Sequence, residues 1–386
     1  MTDTHVLVIG LGVAGASALH ALARRGIPAI GLEAQSPGHT QGSSHGASRI
    51  TRTAVGEGVE YVPLVKRSDE IWAGLEAQGH DLRRPTGVLY LAEPGAGVSL
   101  HGAADFLAAT RAAGQAAGVT LEPLDSATLR QRFPQFTIPD GAHALFEPGA
   151  GVLRPEACLT ALCSDAARLG ATLRYNERVQ TLSADAGKVI ADTPAGRYRA
   201  NRVILAMGAW TPAFAGGGFA RDMRVLRQVQ YWFETEQDAG WTDAPAFIWF
   251  HGATADDSFY GFPILAGGQR AVKVATEQYA VMADPDQVDR SVSAAEAAAL
   301  YKTHVRGRLA GVTDRCVEAL ACLYTHNINP AHPGRFRIAP HPDVAGTTVI
   351  SACSGHGFKH AAGVGDAVVG QMFGEAPFCD LSVFAG

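Results

Sequence analysis

Residues 5–15 read His-Val-Leu-Val-Ile-Gly-Leu-Gly-Val-Ala-Gly, an apolar run that leads through three glycines into an alanine-rich segment. This pattern predicts a buried strand, a tight turn and a helix. Gly10 would allow the turn, Gly12 the close approach of backbone to a pyrophosphate, and Gly15 the packing of helix on strand. The N-terminus of such a helix attracts phosphate, because its free N–H groups and its dipole favour negative charge.

Glu33 ends a second apolar segment that begins at Ile27. A carboxylate at this place accepts hydrogen bonds from both ribose hydroxyls and disfavours a 2′-phosphate. The order of strand, glycines, helix, strand and acid therefore predicts a site for FAD or NAD rather than NADP. The alternative is a glycine turn that only joins a strand to a helix.

Length and composition favour a soluble enzyme. At 386 residues the chain exceeds one ordinary core, so we expect two closely joined domains. The net charge of −5 and a pI near 6.3 give no basic surface for nucleic acid. No secretion signal precedes the first strand and no apolar stretch reaches about 18 residues, so we expect no membrane partner and a cytoplasmic location. The six cysteines form no CxxC pair, which indicates free thiols.

Strands and helices alternate along the chain without internal repeats. Helical spacing over residues 60–78 predicts a helix, a strand follows at Gly87–Ala92, and Pro155 opens another helix. The segment Arg202–Pro212 reads as a buried parallel strand that ends in a small-residue turn. Alternating polar and apolar runs between about 221 and 281 predict a mixed or antiparallel sheet. A last helix from about His360 to Met372 contains Gly363 and Gly365, which suggest close approach to the cofactor or a neighbouring helix.

Several further segments resemble one known group, the monomeric sarcosine oxidase and N-methyltryptophan oxidase family of FAD-dependent amine oxidases. The similarity extends over nearly the whole chain, and the combination of segments is specific although the glycine loop alone is generic. The segments that carry it, besides the glycine loop with Glu33, are Gly42–Arg52, Gly56–Gly58, Glu60–Pro63, Gly208–Trp210, Tyr260–Pro263, Cys322–Thr325 and Ser354–Lys359.

The resemblance and the order of elements together predict an α/β protein, more closely an α+β two-domain flavoprotein. A Rossmann-like FAD-binding domain would be discontinuous, and a mixed or antiparallel sheet would form the substrate domain. The predicted FAD-binding segments are 1–85, 146–217 and 318–386, and the predicted substrate-domain segments are 86–145 and 218–317.

By this resemblance, Cys322 matches the cysteine that joins FAD covalently through a thioether to the 8α carbon of the flavin ring. The alternative is that Cys322 is a small buried hydrophobic residue, which is the usual situation of a free cysteine. The remaining cofactor contacts implied by the resemblance come from the glycine loop, two later turns and the segment near the C-terminus. They are Gly10, Gly12, Gly15, Glu33, Ser43, Arg49, Val179, Gly208, Trp210, Gly355, His356, Gly357 and Lys359.

Lys273 matches the family's lysine above the flavin that promotes reduction of oxygen, since a cation stabilises the developing negative charge. The alternative is a lysine on an edge strand that is turned to water. Arg49 and His45 match groups in one loop near the flavin. Arg49 and Arg52 are three residues apart, and this spacing would put both on one side of a helical turn.

Arg52 and Lys359 match the two cations that bind the substrate carboxylate, while Tyr260 and Tyr324 match aromatic residues of the pocket. Arginine suits the task because its fork grips a carboxylate with two hydrogen bonds. The tyrosines could instead be core residues with satisfied hydroxyl groups. The chain departs from the family at Glu277, where the best-known members have histidine, and this carboxylate could change the preference toward a basic or larger amine or lie outside the pocket.

The resemblance implies an FAD-dependent oxidase of secondary (N-methyl or cyclic) amino acids, which converts the C–N bond to an imine and reduces oxygen to hydrogen peroxide. Three alternatives stay open: a dehydrogenase that passes electrons to a quinone or carrier protein, an NAD-dependent dehydrogenase, and a non-catalytic flavin-binding module. We expect a monomer. His356 and His360 are four residues apart but lack an evident third ligand, so we expect no metal.

Overall fold

The computed structural model describes residues 1–236 and 239–386. In this part of the chain the helices are α1 (Val13–Arg24), α2 (Val62–Glu76), α3 (Phe106–Ala117), α4 (Ser126–Arg132), α5 (Pro155–Arg168), α6 (Thr211–Phe214), α7 (Gly217–Arg221), α8 (Ala294–Leu300) and α9 (Ala361–Met372). The strands are β1 (Thr2–Ile9), β2 (Ala29–Leu32), β3 (Arg49–Thr51), β4 (Arg83–Arg84), β5 (Val88–Ala92), β6 (Glu122–Asp125), β7 (His143–Glu147), β8 (Gly151–Leu153), β9 (Thr172–Arg174), β10 (Thr181–Asp185), β11 (Lys188–Thr193), β12 (Gly196–Leu205), β13 (Met223–Thr235), β14 (Ala246–Phe250), β15 (Ser258–Phe262), β16 (Ala271–Ala275), β17 (Val312–Asn327), β18 (Arg337–Pro340) and β19 (Thr347–Ser351).

The first sheet contains the predicted nucleotide-binding unit. Strands run in the order β10-β11-β12-β1-β2-β9, and β19 pairs with the C-terminal part of β12 and with β18. β1 is parallel to both β12 and β2, and α1 connects β1 to β2. The last four residues of β1 and all of β2 are buried, as expected for strands covered on both faces. The sequence predictions of strand, glycine turn, helix and second strand are thereby confirmed.

The second sheet has the order β17-β13-β16-β15-β14-β5-β7-β6. β14 pairs with β5 in parallel, whereas the other neighbours are antiparallel. The mixed sheet predicted from the alternating runs is therefore present. A small third sheet has the order β3-β8-β4. It joins β3, which follows the loop at residues 42–48, to β8, the strand before α5.

Helix α9 packs against α1 and α2 at positions where only glycine fits. A Cβ atom on Gly363 would lie 2.1 Å from the carbonyl oxygen of Leu64 in α2. A Cβ atom on Gly365 would lie 2.6 Å from the backbone nitrogen of Ala18 in α1. These distances are shorter than any real contact, so the two glycines allow the helix backbones to approach. The prediction of close approach is confirmed, with helices as the neighbours.

One local prediction is wrong. Arg49 does not share a helical turn with Arg52, because Arg49 begins strand β3 and pairs with Leu153 of β8. The spacing of two charged residues does not distinguish a helix from a strand followed by a bend when no apolar periodicity surrounds it.

The division into two domains stays a prediction. The pairing of strands in the two large sheets indicates where the boundaries would lie. β7 and β17 each cross a predicted boundary, yet each pairs only with strands of the second sheet. These pairings would place the boundaries after residues 147 and 327. Among the described residues, no helix has the length and apolar character needed to cross a membrane.

Candidate active site

A long cavity lies where the two large sheets meet. Its wall includes the carboxyl ends of β1, β2, β12 and β19 from the first sheet and residues of β14 and β15 from the second. In open parallel sheets, ligands bind in the crevice outside the carboxyl ends of the strands. The fold therefore offers one continuous space between the glycine-rich turn and the second sheet.

The glycine-rich turn forms one end of this cavity. Gly10 has φ +89°, and a Cβ atom there would lie 2.5 Å from the carbonyl oxygen of Ala206. A Cβ atom on Gly15 would lie 1.8 Å from the carbonyl oxygen of Gly10, so Gly15 allows the helix to pack on the turn. Gly12 precedes α1 and has no side chain of its own to cap the helix, but the backbone N–H of Val13 donates to Ser44 Oγ at 3.0 Å. Ser44 Oγ is also the nearest atom to a Cβ built on Gly12, at 3.5 Å. The N-terminus of α1 lies at the cavity wall, where the helix dipole favours an anion.

Glu33 lines the cavity beside this turn. Its carboxylate accepts hydrogen bonds from the backbone N–H of Leu11 at 2.8 Å and of Gln35 at 3.1 Å. These two contacts fix the carboxylate at the end of β2, where a ribose would lie in a dinucleotide site. His39 was missed in the sequence reading; its Nε2 lies 3.6 Å from Glu33 Oε1.

Cys322 and the two predicted pocket tyrosines line the part of the cavity formed by the second sheet. Cys322 lies on β17 opposite Gln228 and is 3% exposed. The hydroxyl groups of Tyr260 and Tyr324 are 3.3 Å apart, and burial raises the pKa of both. Ser43 donates a hydrogen bond to the carbonyl oxygen of Leu323 and so connects loop 42–48 to β17.

Lys273 is buried between strands and not exposed at an edge, so the water-facing alternative is wrong. Its strand β16 lies between β13 and β15, and Nζ donates to the carbonyl oxygens of Gly46 at 2.6 Å and Ser48 at 2.9 Å. Nζ also lies 4.6 Å from the centre of the Phe262 ring. Burial and the nearby Arg49 guanidinium hold the pKa of Lys273 well below its ordinary value.

The loop that receives the Lys273 hydrogen bonds contains His45 and leads into Arg49. Arg49 Nη2 donates to the carbonyl oxygen of Ser43 at 2.7 Å. His45 Nε2 lies 3.1 Å from the carbonyl oxygen of Gly42, and burial together with Arg49 lowers the pKa of His45 to about 4. On the other side of the loop, Glu156 accepts hydrogen bonds from the backbone N–H of Gly46 and Ala47.

Arg52 and Lys359 meet at a carboxylate that the sequence reading did not assign, Glu57. Arg52 Nη2 contacts Glu57 Oε1 at 2.8 Å and Oε2 at 2.9 Å, and Lys359 Nζ contacts Oε1 at 2.8 Å. The three side chains are between 1% and 5% exposed. Arg52 also lies 5.0 Å from the Phe106 ring and 5.5 Å from the Tyr90 ring. Two cations thus share one buried anion at the cavity wall.

The charge of this group depends on Lys359. Burial lowers its pKa to about 8, since the attraction of Glu57 compensates only in part and Arg52 adds repulsion. Burial acts to raise the pKa of Glu57, but Arg52 and Lys359 outweigh it and hold that pKa well below its ordinary value. At neutral pH the group therefore carries one net positive charge, which suits a further carboxylate.

Most of the predicted site residues come together in this cavity. Three do not line it: Gly15 packs behind the glycine turn, while His45 and Lys273 lie behind the loop 42–48. Those that line it are Gly10, Gly12, Glu33, Ser43, Arg49, Arg52, Val179, Gly208, Trp210, Tyr260, Glu277, Cys322, Tyr324, Gly355, His356, Gly357 and Lys359. His101 also lines it and was missed, because no motif connects it to the other residues. Within residues 1–236 and 239–386, no cluster of three or more His, Cys, Asp or Glu side chains could hold a metal.

Comparison with known proteins supports the prediction of an FAD-binding protein. A model of the FAD dependent oxidoreductase family (DAO) matches residues 5–371. The chain is 30% identical to the monomeric sarcosine oxidase of Bacillus sp. (strain B-0618), over 100% of this chain and 96% of that protein. It belongs to the FAD-dependent oxidoreductase family. It is also 31% identical to the N-methyl-L-tryptophan oxidase of Salmonella arizonae (strain ATCC BAA-731 / CDC346-86 / RSK2980), over 98% of this chain and 97% of that protein.

A solved structure shows the same fold. The open form of NikD, described as an unusual amino acid oxidase essential for nikkomycin biosynthesis, has a TM-score of 0.85 and 22% identity, covering 100% of this chain and 98% of that one. Within the family, the chain groups with monomeric sarcosine oxidases and N-methyltryptophan oxidases, which confirms the resemblance read from the sequence. The protein is an FAD-dependent oxidoreductase that acts on CH–NH groups.

The side chains present fit FAD. Gly10 and Gly12 leave space beside the N-terminus of α1, and Glu33 is fixed where a ribose would lie. A continuous cavity extends from there to Cys322 and to the Arg52–Glu57–Lys359 group. A dinucleotide whose second half is a planar ring system would therefore reach the substrate end of the cavity.

Proposed function

We propose that this protein oxidises secondary amino acids, N-methylated or cyclic, to imines and passes the electrons to oxygen. The observation that supports this most directly is the buried pair Arg52 and Lys359 around Glu57, in the same cavity as Cys322 and the two tyrosines. Bound FAD supplies the acceptor for the two electrons and the hydrogen of the substrate carbon. The imine then hydrolyses in water.

Arg52 and Lys359 are proposed to bind the substrate carboxylate. Arg52 can offer a planar pair of N–H donors, and Lys359 adds a point charge. Both now contact Glu57, so an incoming carboxylate would share these donors or take over some of them. Tyr260 and Tyr324 would then flank the rest of the amino acid. The amine must lose its proton and bind in neutral form, and a neutral amine then needs no additional catalytic base to give a hydride equivalent.

Cys322 is proposed to hold FAD covalently through its sulfur. Forming the thioether replaces an S–H and a C–H bond by a C–S bond and releases two protons and two electrons, which oxygen takes up as hydrogen peroxide. Its position supports this role, because Cys322 lines the cavity and is buried. A permanent bond would prevent loss of the cofactor between turnovers.

The first test is the absorbance spectrum of the purified protein before and after acid precipitation, followed by anaerobic addition of secondary amino acids. We expect yellow colour in the pellet, and bleaching by at least one N-methyl or cyclic amino acid with peroxide formed on admission of air. Colour in the supernatant would contradict only the covalent bond. Bleaching without peroxide would indicate a dehydrogenase, and a protein that binds flavin but is bleached by no amine would contradict the oxidase.

A monomeric state and a cytoplasmic location remain predictions from the sequence. Light scattering of the purified protein would test the first, and fractionation of cells that express the native chain would test the second.

A further inference from the structure

Glu277 places a buried negative charge in the wall of the cavity. Its side chain is 10% exposed, and Oε1 lies 3.3 Å from His101 Nε2. Tyr279 donates a hydrogen bond of 2.6 Å to Oε2. Burial acts to raise the pKa of Glu277, but His101 and the Tyr279 hydroxyl outweigh it and keep that pKa below its ordinary value. The carboxylate therefore stays ionised at neutral pH.

His101 has a ring nitrogen that can make one further hydrogen bond. Its side chain is 5% exposed, it lines the cavity, and its Nδ1 is buried with no hydrogen-bond partner in residues 1–236 and 239–386. Its backbone has φ +51°, a conformation that a non-glycine residue adopts only at a cost in free energy. An orphaned buried nitrogen and a strained backbone at one residue point to a function for this position.

The Glu277 carboxylate is close to the residues that would surround the substrate. A Cβ atom on Gly355 would lie 2.8 Å from Glu277 Oε1, 2.9 Å from the Tyr324 ring and 3.0 Å from the His101 ring. A side chain at position 355 would collide with the Glu277 carboxylate and the Tyr324 ring and would crowd the His101 ring. The glycine therefore lets the carboxylate, the imidazole and the pocket tyrosine meet at one point of the wall.

The cavity consequently has two charged poles of opposite sign. The positive pole is the group of Arg52, Glu57 and Lys359, and the negative pole is Glu277. His356 lies between them: its Nδ1 is 3.8 Å from Glu57 Oε1, and its ring centre is 4.8 Å from that of His101. A molecule that contacts both poles needs a carboxylate at one end and a cation at the other.

Resting on the proposed function, we propose that Glu277 is a specificity subsite for a second, non-reacting cationic nitrogen, so that the preferred substrates are secondary amino acids with a basic side chain. A carboxylate that paired with the reacting amine would stabilise its protonated form and oppose oxidation. Pairing with a nitrogen that does not react avoids this conflict. It also leaves Arg52 and Lys359 to the α-carboxylate.

The test compares two substrates of equal size, Nα-methyl-L-ornithine and Nα-methyl-L-norleucine, whose side chains end in an ammonium and a methyl group. In the wild-type holoenzyme, steady-state turnover in air-saturated buffer should show a kcat/KM at least about tenfold higher for the ornithine derivative. In Glu277→Gln this ratio should fall towards one, with the change mainly in KM for the ornithine derivative. Glu70→Gln, which removes an exposed carboxylate of α2 paired with Arg67, should keep the wild-type ratio.

Equal kcat/KM for the two substrates in the wild-type enzyme would overturn the subsite, even if Glu277→Gln failed to fold. An unchanged ratio in a folded Glu277→Gln variant would overturn it as well. If sarcosine and the norleucine derivative bleach the flavin while the ornithine derivative has no advantage, only the subsite fails and the proposed oxidase stands. If no secondary amino acid bleaches the flavin, the proposed function fails together with the subsite.

Discussion

Single residues set the charge at the substrate end of the cavity, and Lys359 loses its charge near physiological pH. Its pKa of about 8 means that the ammonium is present below that pH and lost above it. Binding of methoxyacetate, a carboxylate that resembles sarcosine but has no amine to oxidise, should therefore be constant at lower pH. Its Kd should rise above about pH 8 by up to about tenfold per pH unit. The measurement is a titration of the flavin absorbance.

The matched control for this prediction is Lys359→Arg. A guanidinium stays charged throughout this range, so the rise in Kd above about pH 8 should disappear while binding persists. A wild-type Kd that does not change between pH 7 and 10 would contradict the assignment of Lys359 to the carboxylate.

Lys273 gives a second prediction at a single residue. Its amino group is buried and donates hydrogen bonds to loop 42–48, and we propose that it stabilises the negative charge that develops on oxygen. Lys273→Met should slow reoxidation of the reduced enzyme by oxygen about a hundredfold, with a much smaller effect on anaerobic reduction by substrate. Stopped-flow absorbance measures both steps. Lys66→Met, at an exposed position of α2, should change neither, and an equal loss in both steps for Lys273→Met would argue for a purely structural role.

Sequence reasoning found the cations of this site but not the groups that hold them. Arg52 and Lys359 could be assigned because each lies in a segment that resembles the family, and Lys273 could be assigned because it matches the family's lysine above the flavin. Glu57 lies between two glycines in one of those segments, yet its pairing with Lys359 joins positions 302 residues apart. His101 lies in the connection between β5 and α3, and no local pattern indicates that it contacts Glu277. Such pairings depend on tertiary packing, which a single sequence does not display.

Among the elements, helix α9 is the one whose packing depends most clearly on glycine residues. Gly363→Ala would put a methyl group 2.1 Å from the Leu64 carbonyl oxygen, and that backbone cannot move without displacing α2. The substitution should lower the free energy of unfolding by about 1–3 kcal/mol. Gly74→Ala in α2 is the control: no atom lies within 4 Å, so it should be neutral or stabilise by up to about 1 kcal/mol. Urea unfolding followed by far-UV circular dichroism distinguishes the two, and a Gly363→Ala variant as stable as wild type would refute the packing argument.

Elements in which apolar residues recur at a regular spacing could be predicted from the sequence, and elements without such a spacing could not. The helix at 60–78 and the strand at 87–92 have apolar residues at regular spacing and appear as α2 and β5. The strand β3 has only three residues and no apolar alternation, so its two arginines suggested a helical turn instead. In β16 all five residues are buried, and alternation could not show which face Lys273 occupies.

At the level of the whole molecule, the cavity depends on both large sheets at once. The glycine turn and Glu33 belong to the first sheet, whereas Cys322 and Tyr260 belong to the second. A cofactor that spans this cavity contacts both units and binds only when they are folded and correctly placed. Its binding energy therefore contributes to the stability of the assembled chain.

The proposed covalent bond between Cys322 and FAD predicts a specific effect of its removal. In Cys322→Ser, FAD would be held only by non-covalent contacts, so thermal stability should increase with the concentration of added FAD, by about 1.4 kcal/mol for each tenfold increase above Kd. The wild-type protein, in which the proposed bond would retain the cofactor, should show no such dependence. Cys379→Ser changes a cysteine outside the cavity wall and should behave like wild type. Differential scanning calorimetry at several FAD concentrations measures the effect, and a midpoint that rises equally in all three proteins would show that Cys322 does not retain the flavin.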